Sequence, residues 1–306
     1  MNAKPALATA QQGAAALVSL MPAVFVLLWS TGFLGMRLGA PYAEPFTFML
    51  WRMGLVVAIL LAAAALIRAP WPRSREEIGH IAFAGLLTHA TYLCGVLIAI
   101  QKGLPLGYVA LIAGLQPVLT ALVATGFLGE RLNAWQWAGM ALGCAGVLLV
   151  VAGKTGHSEV NFAAIVSAAA GLLGITFGTL YQKRFCAGMN LVTGGIVQFT
   201  ATGLVLAVLA FTFETRVVRW TPEFVFALFW LGIALSLGAI TLLNLMIRRG
   251  AASQVASLFF LTPSVTAVLA WLLFNESMPL LAIAGMGVAA IGVALVTRGP
   301  AQNTPS

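Results

Sequence analysis

The sequence predicts an all-α membrane protein with ten transmembrane helices arranged as a 5+5 inverted repeat. Of its 306 residues, 61% are hydrophobic and only 8% are charged, whereas about a quarter of the residues in an average soluble domain are charged. The chain contains no aspartate, and its eight acidic residues all fall at or near gaps between apolar runs. Because only helices and closed barrels satisfy their backbone in lipid, continuous runs of about 20 apolar residues predict helices.

Ten apolar runs are long enough to span a bilayer, and their short connections predict that successive helices run antiparallel. The first run follows Lys4 but is too long for the apolar core of a signal peptide, so we interpret it as an uncleaved helix. The spans are predicted at 19–40, 46–67, 80–100, 106–128, 134–153, 161–181, 191–213, 223–245, 252–274 and 279–297. They divide the chain into an N-terminal tail (1–18), a first five-helix unit (19–153), a linker (154–160), a second five-helix unit (161–298) and a C-terminal tail (299–306).

Lysines and arginines are distributed unequally between the two sides of this topology. A cytoplasmic N-terminus puts the larger share of them in cytoplasmic loops and tails, which is the usual bias of membrane proteins. We therefore predict a multi-pass protein of the bacterial inner membrane with both termini in the cytoplasm. The net charge of +8 then reflects topology, and basic residues scattered in ones to threes do not predict nucleic-acid binding.

The sequence offers no recognisable catalytic, metal or cofactor site. Its three cysteines lie within spans or in a short loop and form no disulfide framework. One midspan histidine without carboxylates is a poor metal-ligand set. The HExxH and GxSxG patterns are missing, and all four lysines lie in tails or loops, so a buried Ser–Lys dyad is excluded. We predict a protein that is not an enzyme and binds no cofactor.

The chain aligns with itself at an offset of 146 residues. Residues 117–150 pair without gaps with residues 263–296, so that Pro117 meets Pro263 and Glu130 meets Glu276. Extended outward, the match gives five spans in each unit, and an odd number of spans reverses the second unit in the membrane. Inverted repeats of this kind bind substrate near the midplane, between the units, where helices are interrupted.

These residues resemble the EamA-type transporters of the drug/metabolite transporter superfamily. The resemblance lies in the proline, threonine and glutamate pattern that closes spans four and nine, in GERL at 129–132, in Trp29 with Ser30, and in EPFTFMLWRM at 44–53. It extends over about 20–298 and looks most like bacterial exporters of amino acids and related metabolites. It therefore implies outward transport. The second unit departs from the family pattern at 275–277, where NES stands in place of GE followed by a basic residue.

The helix breaks at the two matched prolines are the first candidate site. Pro117 and Pro263 each remove a backbone donor, which frees the carbonyls of Ala113 and Phe259. Gln116 and Thr262 stand immediately before these prolines. Freed carbonyls at membrane depth are tolerated where protein or water satisfies them, so we predict that both breaks line a substrate cavity. The alternative is a pair of simple kinks capped by neighbouring helices.

Two further candidates lie near the middle of spans. His89 and Tyr92 are three residues apart on one predicted helical face and could form a pocket wall or a short packing network. Trp29, followed by Ser30, lies far from the membrane interface where tryptophan usually collects, so it either stacks against a substrate or packs in the core. Arg52 could pair with Glu44 as an outer gate, but a snorkelling side chain explains it more simply.

The remaining candidates for substrate binding are also explained by ordinary hydrogen bonds between helices. Glycines in spans five and ten predict close helix contact within a scaffold or, alternatively, a dimer face. The polar candidates are Tyr108, Thr176, Thr179, Tyr181 and Asn244.

We predict a secondary transporter that exports small neutral or zwitterionic metabolites by alternating access. The aromatic candidates in an apolar lining favour amino acids with aromatic or bulky apolar side chains. The first span lacks the glutamate on which small multidrug exporters of the same superfamily depend, so either His89 carries protons or transport is uncoupled or an exchange, and we favour the second. Alternatives are a proton-driven exporter of drugs or other metabolites, and a channel or membrane scaffold. The expected partners are the substrate and the lipid bilayer, with the chain a monomer or a homodimer.

Overall fold

The structure, a computed structural model, is built from helices and describes residues 4–104, 109, 112–127, 129, 132–152, 161–249, 252–274 and 279–298. The helices are α1 (Lys4–Gly39), α2 (Pro45–Ile67), α3 (Arg75–Gln101), α4 (Ile112–Phe127), α5 (Ala134–Ala152), α6 (Phe162–Phe185), α7 (Leu191–Phe213), α8 (Pro222–Arg249), α9 (Ala252–Leu273) and α10 (Leu280–Arg298). Eight of them are long and apolar enough to cross a membrane, and α4 and α5 are shorter apolar helices. Within the described residues there is no β-strand, so the prediction of an all-helical chain is confirmed.

The helix bounds differ from the predicted spans mainly at the ends. Helix α1 begins at Lys4, so most of the predicted N-terminal tail is helical and continuous with the first span. Helix α6 continues to Phe185, four residues beyond the predicted end at Tyr181. Tyr108 and the linker 154–160 lie outside the described residues.

Local sequence fixes where several helices start. The Ser74 hydroxyl accepts a hydrogen bond from the Glu77 amide at 3.0 Å, at the start of α3. The Asn190 carboxamide oxygen does the same for the Val192 amide at 2.9 Å, at the start of α7. Such caps satisfy amides that have no partner within the helix, and this matters most where lipid replaces water.

The helix bounds of the two chain halves repeat at the offset seen in the sequence. Helices α2 and α7 span 45–67 and 191–213, so both ends are 146 residues apart. Helices α5 and α10 span 134–152 and 280–298, again 146 residues apart at both ends. After their breaks, α4 resumes as an α-helix at Gln116 and α9 at Thr262, which is the same offset.

Contacts between the two halves also come in matched pairs. Helix α2 packs along α7, and α5 packs along α10, so each of these helices contacts its counterpart. Helix α3 packs against α6 and α7, while its counterpart α8 packs against α1 and α2. This is the pattern expected when two similar units are related by an approximate two-fold axis.

Helices α5 and α10 approach each other closely through glycine. A Cβ atom on Gly292 would lie 2.5 Å from the amide nitrogen of Gly143, and one on Gly146 would lie 2.4 Å from the amide nitrogen of Ala289. Backbone therefore contacts backbone, as in the small-residue interfaces of membrane helices. The predicted close contact is found within the chain, between these two helices.

Four helices depart from α-helical winding. Helices α3 and α8 each contain a π-helical segment, Leu86–Thr91 and Trp230–Ala239. Adding the 146-residue offset to the first gives 232–237, which lies inside the second. Helix α4 has a turn at Leu115, and α9 has a 3₁₀ segment over Leu258–Leu261, so both predicted breaks lie directly before the matched prolines.

The break in α9 corrects one detail of the prediction. The Phe259 carbonyl is not freed, because it accepts a hydrogen bond from the Thr262 amide. The tighter 3₁₀ winding replaces the bond that Pro263 cannot donate. In α4 a similar short bond of 3.1 Å joins the Leu115 amide to the Ile112 carbonyl.

The loops after α1 and α7, both predicted to lie outside the cell, bind each other through two glutamates. The Glu214 carboxylate accepts hydrogen bonds from the Phe46 and Thr47 amides, each at 2.7 Å, and so caps α2. The Glu44 carboxylate accepts from the Thr215 hydroxyl at 2.6 Å and from its amide at 2.7 Å. The Thr215 hydroxyl is the main reason that the pKa of Glu44 lies below its usual value. These bonds hold the two halves together at one end of the bundle.

We expect Gly292→Ala to destabilise the protein by about 1–3 kcal/mol, since the added methyl group forces α5 and α10 apart. Gly287→Ala is the matched control, because nothing lies within 4 Å of its added Cβ. The control should be neutral or stabilising by up to about 1 kcal/mol through helix propensity. Thermal unfolding of the purified proteins in detergent measures both changes. Equal melting temperatures for the two variants would contradict the close contact.

Candidate functional site

An aromatic cluster lies at the centre of the bundle. The indole nitrogen of Trp29 in α1 donates to the Tyr92 hydroxyl of α3 at 3.2 Å, and the two rings stack with centroids 5.9 Å apart. Phe259, in the 3₁₀ segment of α9, meets the Trp29 ring edge to face at 4.9 Å. Phe25, one turn before Trp29, lies 5.2 Å from its ring. The Trp29 indole N–H is satisfied by Tyr92, and the apolar ring faces of the four residues pack together.

Ser30 links this cluster to the break in α9. Its hydroxyl lies 2.7 Å from the Val26 carbonyl of its own helix and 3.3 Å from the Thr262 carbonyl. The residue is completely buried. Ser30 therefore provides a donor within reach of a carbonyl at the interrupted helix, which is the role predicted for protein groups at such breaks.

Arg52 is buried in the same region and does not snorkel, which corrects the sequence interpretation. Only 2% of the residue is exposed. Its Nε atom donates to the Ser236 hydroxyl at 3.0 Å, and Ser236 lies in the π-helical segment of α8. Its Nη1 atom is buried and has no partner among the described residues. Glu44, the predicted gate partner, instead binds Thr215 and the Arg216 amide.

Arg52 and the aromatic cluster border a small cavity between α1, α2, α3 and α8. The cavity volume is about 20 Å³, which is room for one or two water molecules and too little for an amino acid. Most of its wall is apolar. The lining residues are Trp29, Gly32, Phe33, Met36, Arg52, Tyr92, Leu93, Leu235 and Ile240.

His89 does not line this cavity. Its ring stacks on Phe199 of α7 with centroids 4.3 Å apart, and the Gln198 side chain lies beside it. The predicted common face with Tyr92 assumed α-helical winding, whereas His89 lies in the π-helical segment that ends at Thr91. The wider π turn places residues three apart on different sides of the helix.

Three buried amides form a chain in the second half. The Gln198 amide donates to the Gln182 oxygen at 2.9 Å, and the Gln182 amide donates to the Asn244 oxygen at 2.6 Å. Sequence reasoning named Asn244 but missed the two glutamines. A signal was present for Gln198, a polar residue in the middle of an apolar span and 146 residues after Arg52.

The other predicted residues are distributed over several places. Gln116 and Thr262 are buried next to the two breaks, and each has a polar side-chain atom without a partner among the described residues. The Thr176 hydroxyl is likewise buried and unpartnered there, while Thr179 bonds the Ile175 carbonyl of its own helix at 2.8 Å.

Tyr181 lies at the predicted cytoplasmic ends of α3 and α6 rather than at the aromatic cluster. Its hydroxyl is 2.6 Å from the Nδ1 atom of His80.

The site can therefore hold a ligand through aromatic faces, one guanidinium and the polar groups at interrupted helices. Among the described residues no group of three histidine, cysteine or acidic side chains could hold a metal ion. A buried, mostly apolar cavity with one guanidinium, beside the π-helical segment of α8 and enclosed by many apolar helices, is typical of membrane transporters. The fold and the site thus define a polytopic transporter.

The chain belongs to the EamA-like transporter family. The pattern of that family matches residues 15–152 and matches again at residues 162–298. The resemblance noted in the sequence is therefore confirmed, and membership of a transporter family favours a function other than catalysis.

Relatives of known name support the same class. The chain is 27% identical to the uncharacterized transporter YvbV of Bacillus subtilis, over 93% of each chain. It is 25% identical to the uncharacterized inner membrane transporter YedA of Escherichia coli, over 92% of each chain. A probable terminal-alkyne amino-acid exporter of Streptantibioticus cattleyicolor is 29% identical, over 89% of this chain and 91% of its own. One crystal structure, with 23% identity, has the same fold with a TM-score of 0.73 over 92% of this chain and 96% of the other.

We expect Ser236→Ala to destabilise the protein by about 1–3 kcal/mol, because the buried Arg52 guanidinium loses Ser236 Oγ, its acceptor among the described residues. Ser167→Ala is the matched control, since that hydroxyl bonds only the Ala163 carbonyl of its own helix, and it should change stability by less than about 0.5 kcal/mol. Thermal unfolding in detergent compares the two. If both variants have the same melting temperature as the parent protein, the Arg52–Ser236 bond does not stabilise the fold.

Proposed function

We propose that the protein exports amino acids with aromatic or bulky apolar side chains, by alternating access between two five-helix units. The observation that carries this proposal is a buried cavity lined by Arg52, Trp29 and Tyr92 and by Leu235 of the α8 π-helical segment. Phe259 of the α9 3₁₀ segment packs against Trp29 behind it. Aromatic faces suit apolar side chains, and interrupted helices offer polar groups for charged ends.

The inverted repeat is part of the proposal and rests on independent observations. Helix bounds recur at 146 residues, contacts between the halves come in matched pairs, and the family pattern matches each half separately. Five helices in each unit would place the second unit upside down in the membrane. Glu130 and Glu276, which mark the corresponding loops, lie outside the described residues.

Transport requires a change of shape, because the cavity is too small for an amino acid. The glycine contact of α5 with α10 leaves little room for sliding. We therefore assign these two helices to the scaffold and assign the opening to the remaining helices. The family relatives include one named as a probable amino-acid exporter, which supports this substrate class.

The membrane location and topology of the carrier are inferred from the distribution of lysine and arginine and from the named relatives. We propose an inner-membrane protein with both termini in the cytoplasm, since basic residues concentrate on that side and one relative is named an inner membrane transporter. The chain acts as a monomer or a homodimer. A proton-driven exporter of other metabolites and a channel or scaffold remain the alternatives.

Counterflow in liposomes tests the carrier. Vesicles loaded with unlabelled phenylalanine should transiently accumulate labelled phenylalanine, tryptophan or methionine above equilibrium, because a carrier exchanges substrate across a membrane. Trp29→Ala should slow this exchange at least about tenfold, given that losing a buried aromatic contact costs about 1.4 kcal/mol or more. Trp137→Ala, at an exposed position on α5, is the control. Flux without counterflow would indicate a pore, and no amino-acid flux would overturn the proposal.

Proton coupling can be examined through His89. We expect an ionophore that collapses the proton gradient to leave the exchange rate unchanged, because no carboxylate lines the cavity among the described residues. The exchange rate of His89→Gln should be equally insensitive to the ionophore. His80→Gln, at the half-exposed histidine beside Tyr181, is the control. Net efflux that stops with the ionophore, together with loss of its pH dependence in His89→Gln alone, would favour the proton-driven alternative.

A further inference from the structure

Arg52 is a buried cation in an apolar part of the bundle, and neighbouring groups satisfy only part of its charge and its N–H donors. One nitrogen binds the neutral hydroxyl of Ser236, and Nη1 is buried without a partner. Among the described residues no carboxylate lies within 4.0 Å of the guanidinium. The residue is fully enclosed, and its side chain reaches the wall of the cavity.

Such an arrangement is costly unless a ligand completes it. Removing a charge from water without a partner is unfavourable, and most of all for an arginine in the middle of a membrane helix. A single hydrogen bond to a neutral group does not offset that cost. An anion that enters the cavity would offset it, and guanidinium groups bind carboxylates through parallel N–H bonds.

The corresponding position in the second half lacks this feature. Gln198 lies 146 residues after Arg52, in the helix that matches α2, and is neutral. Its amide is bonded to Gln182, which is bonded in turn to Asn244. The matching position of the other half therefore holds a neutral side chain within a chain of amide bonds, and the charge is specific to Arg52 and its cavity.

We propose that Arg52 binds the carboxylate of the transported molecule, and that the site recognises an apolar carboxylate whether or not it carries an amino group. This rests on the proposed function, since it assigns the charged end of the substrate of that same cavity. The amino group is not required, because no acidic side chain lines the cavity among the described residues. The apolar body of the ligand would lie against Trp29, Phe33, Met36 and Leu235.

Equilibrium binding to the purified full-length protein tests the proposal with a matched pair of probes. 3-Phenylpropionate and 3-phenylpropionamide have nearly the same shape and differ in charge. The acid should bind at least about tenfold more tightly than the amide, because a hydrogen bond to a charged group is worth about 1.5–3 kcal/mol. Phenylalanine and 3-phenylpropionate should compete for one site with affinities within about tenfold of each other.

Variants at Arg52 show whether this residue sets the preference. In Arg52→Gln the ratio of acid to amide affinity should fall to about one while the amide still binds. In Arg52→Lys the acid should still bind more tightly than the amide, but by a smaller factor than in the parent. A structural role would weaken both probes together and leave the ratio unchanged. Lys102→Gln removes the same charge at an exposed position and should keep the parental ratio. If Arg52→Gln does not fold, the acid-to-amide affinity ratios of the parent and of Arg52→Lys still test whether Arg52 binds the carboxylate.

The possible failures are distinguishable. Equal binding of acid and amide to the parent, or an unchanged ratio in a folded Arg52→Gln, would overturn the carboxylate site, while counterflow of phenylalanine would leave the proposed exporter standing. Binding of 3-phenylpropionate without binding or flux of any amino acid would retain Arg52 as a carboxylate site and overturn amino-acid export. If no probe binds and no flux occurs, both proposals fall.

Discussion

The structure depends on the need to satisfy backbone polar groups where lipid supplies no hydrogen bonds. An unpaired carbonyl or amide at membrane depth costs several kcal/mol, so an interrupted helix must find replacement bonds. Here the replacements are local. The 3₁₀ segment of α9 returns the Phe259 carbonyl to the Thr262 amide, and Ser30 places a hydroxyl within 3.3 Å of the Thr262 carbonyl. These bonds satisfy polar backbone at the break inside the bundle, away from lipid.

The same constraint explains the π-helical segments. In α3 the Thr91 hydroxyl donates to the Leu86 carbonyl, and in α8 the Ser236 hydroxyl donates to the Leu231 carbonyl, both five residues back at 3.2 Å. The hydroxyls fit the wider turn and give its carbonyls a second donor. Because Ser236 also accepts from Arg52, the irregular winding of α8 places an acceptor where α2 brings its cation. The π-helical winding of α8 thus positions a residue of the candidate site.

Sequence alone predicts most of the fold and only part of the site. Apolar runs and the 146-residue offset predict the helices because both follow from composition along the chain. Trp29 and the breaks at Pro117 and Pro263 are singled out by the sequence, since misplaced tryptophan and proline are local signals, but the partners of Trp29 are not. The burial of Arg52 and the separation of His89 from Tyr92 were not. The first depends on packing between distant helices, and the second on π winding that no residue pattern reports.

The side chains that line the cavity are not repeated at the 146-residue offset. At equivalent positions of α1 and α6 the chain has Trp29 and Ile175, and at equivalent positions of α2 and α7 it has Arg52 and Gln198. A symmetric pair of helical units can alternate between two openings of similar energy, since each opening is built from equivalent contacts. Under the proposed mechanism, an asymmetric lining would fix the orientation of the ligand while those units move. If the carboxylate stays on Arg52 throughout, the cavity walls open around a stationary charged end, and the guanidinium never has to cross the bilayer to release it.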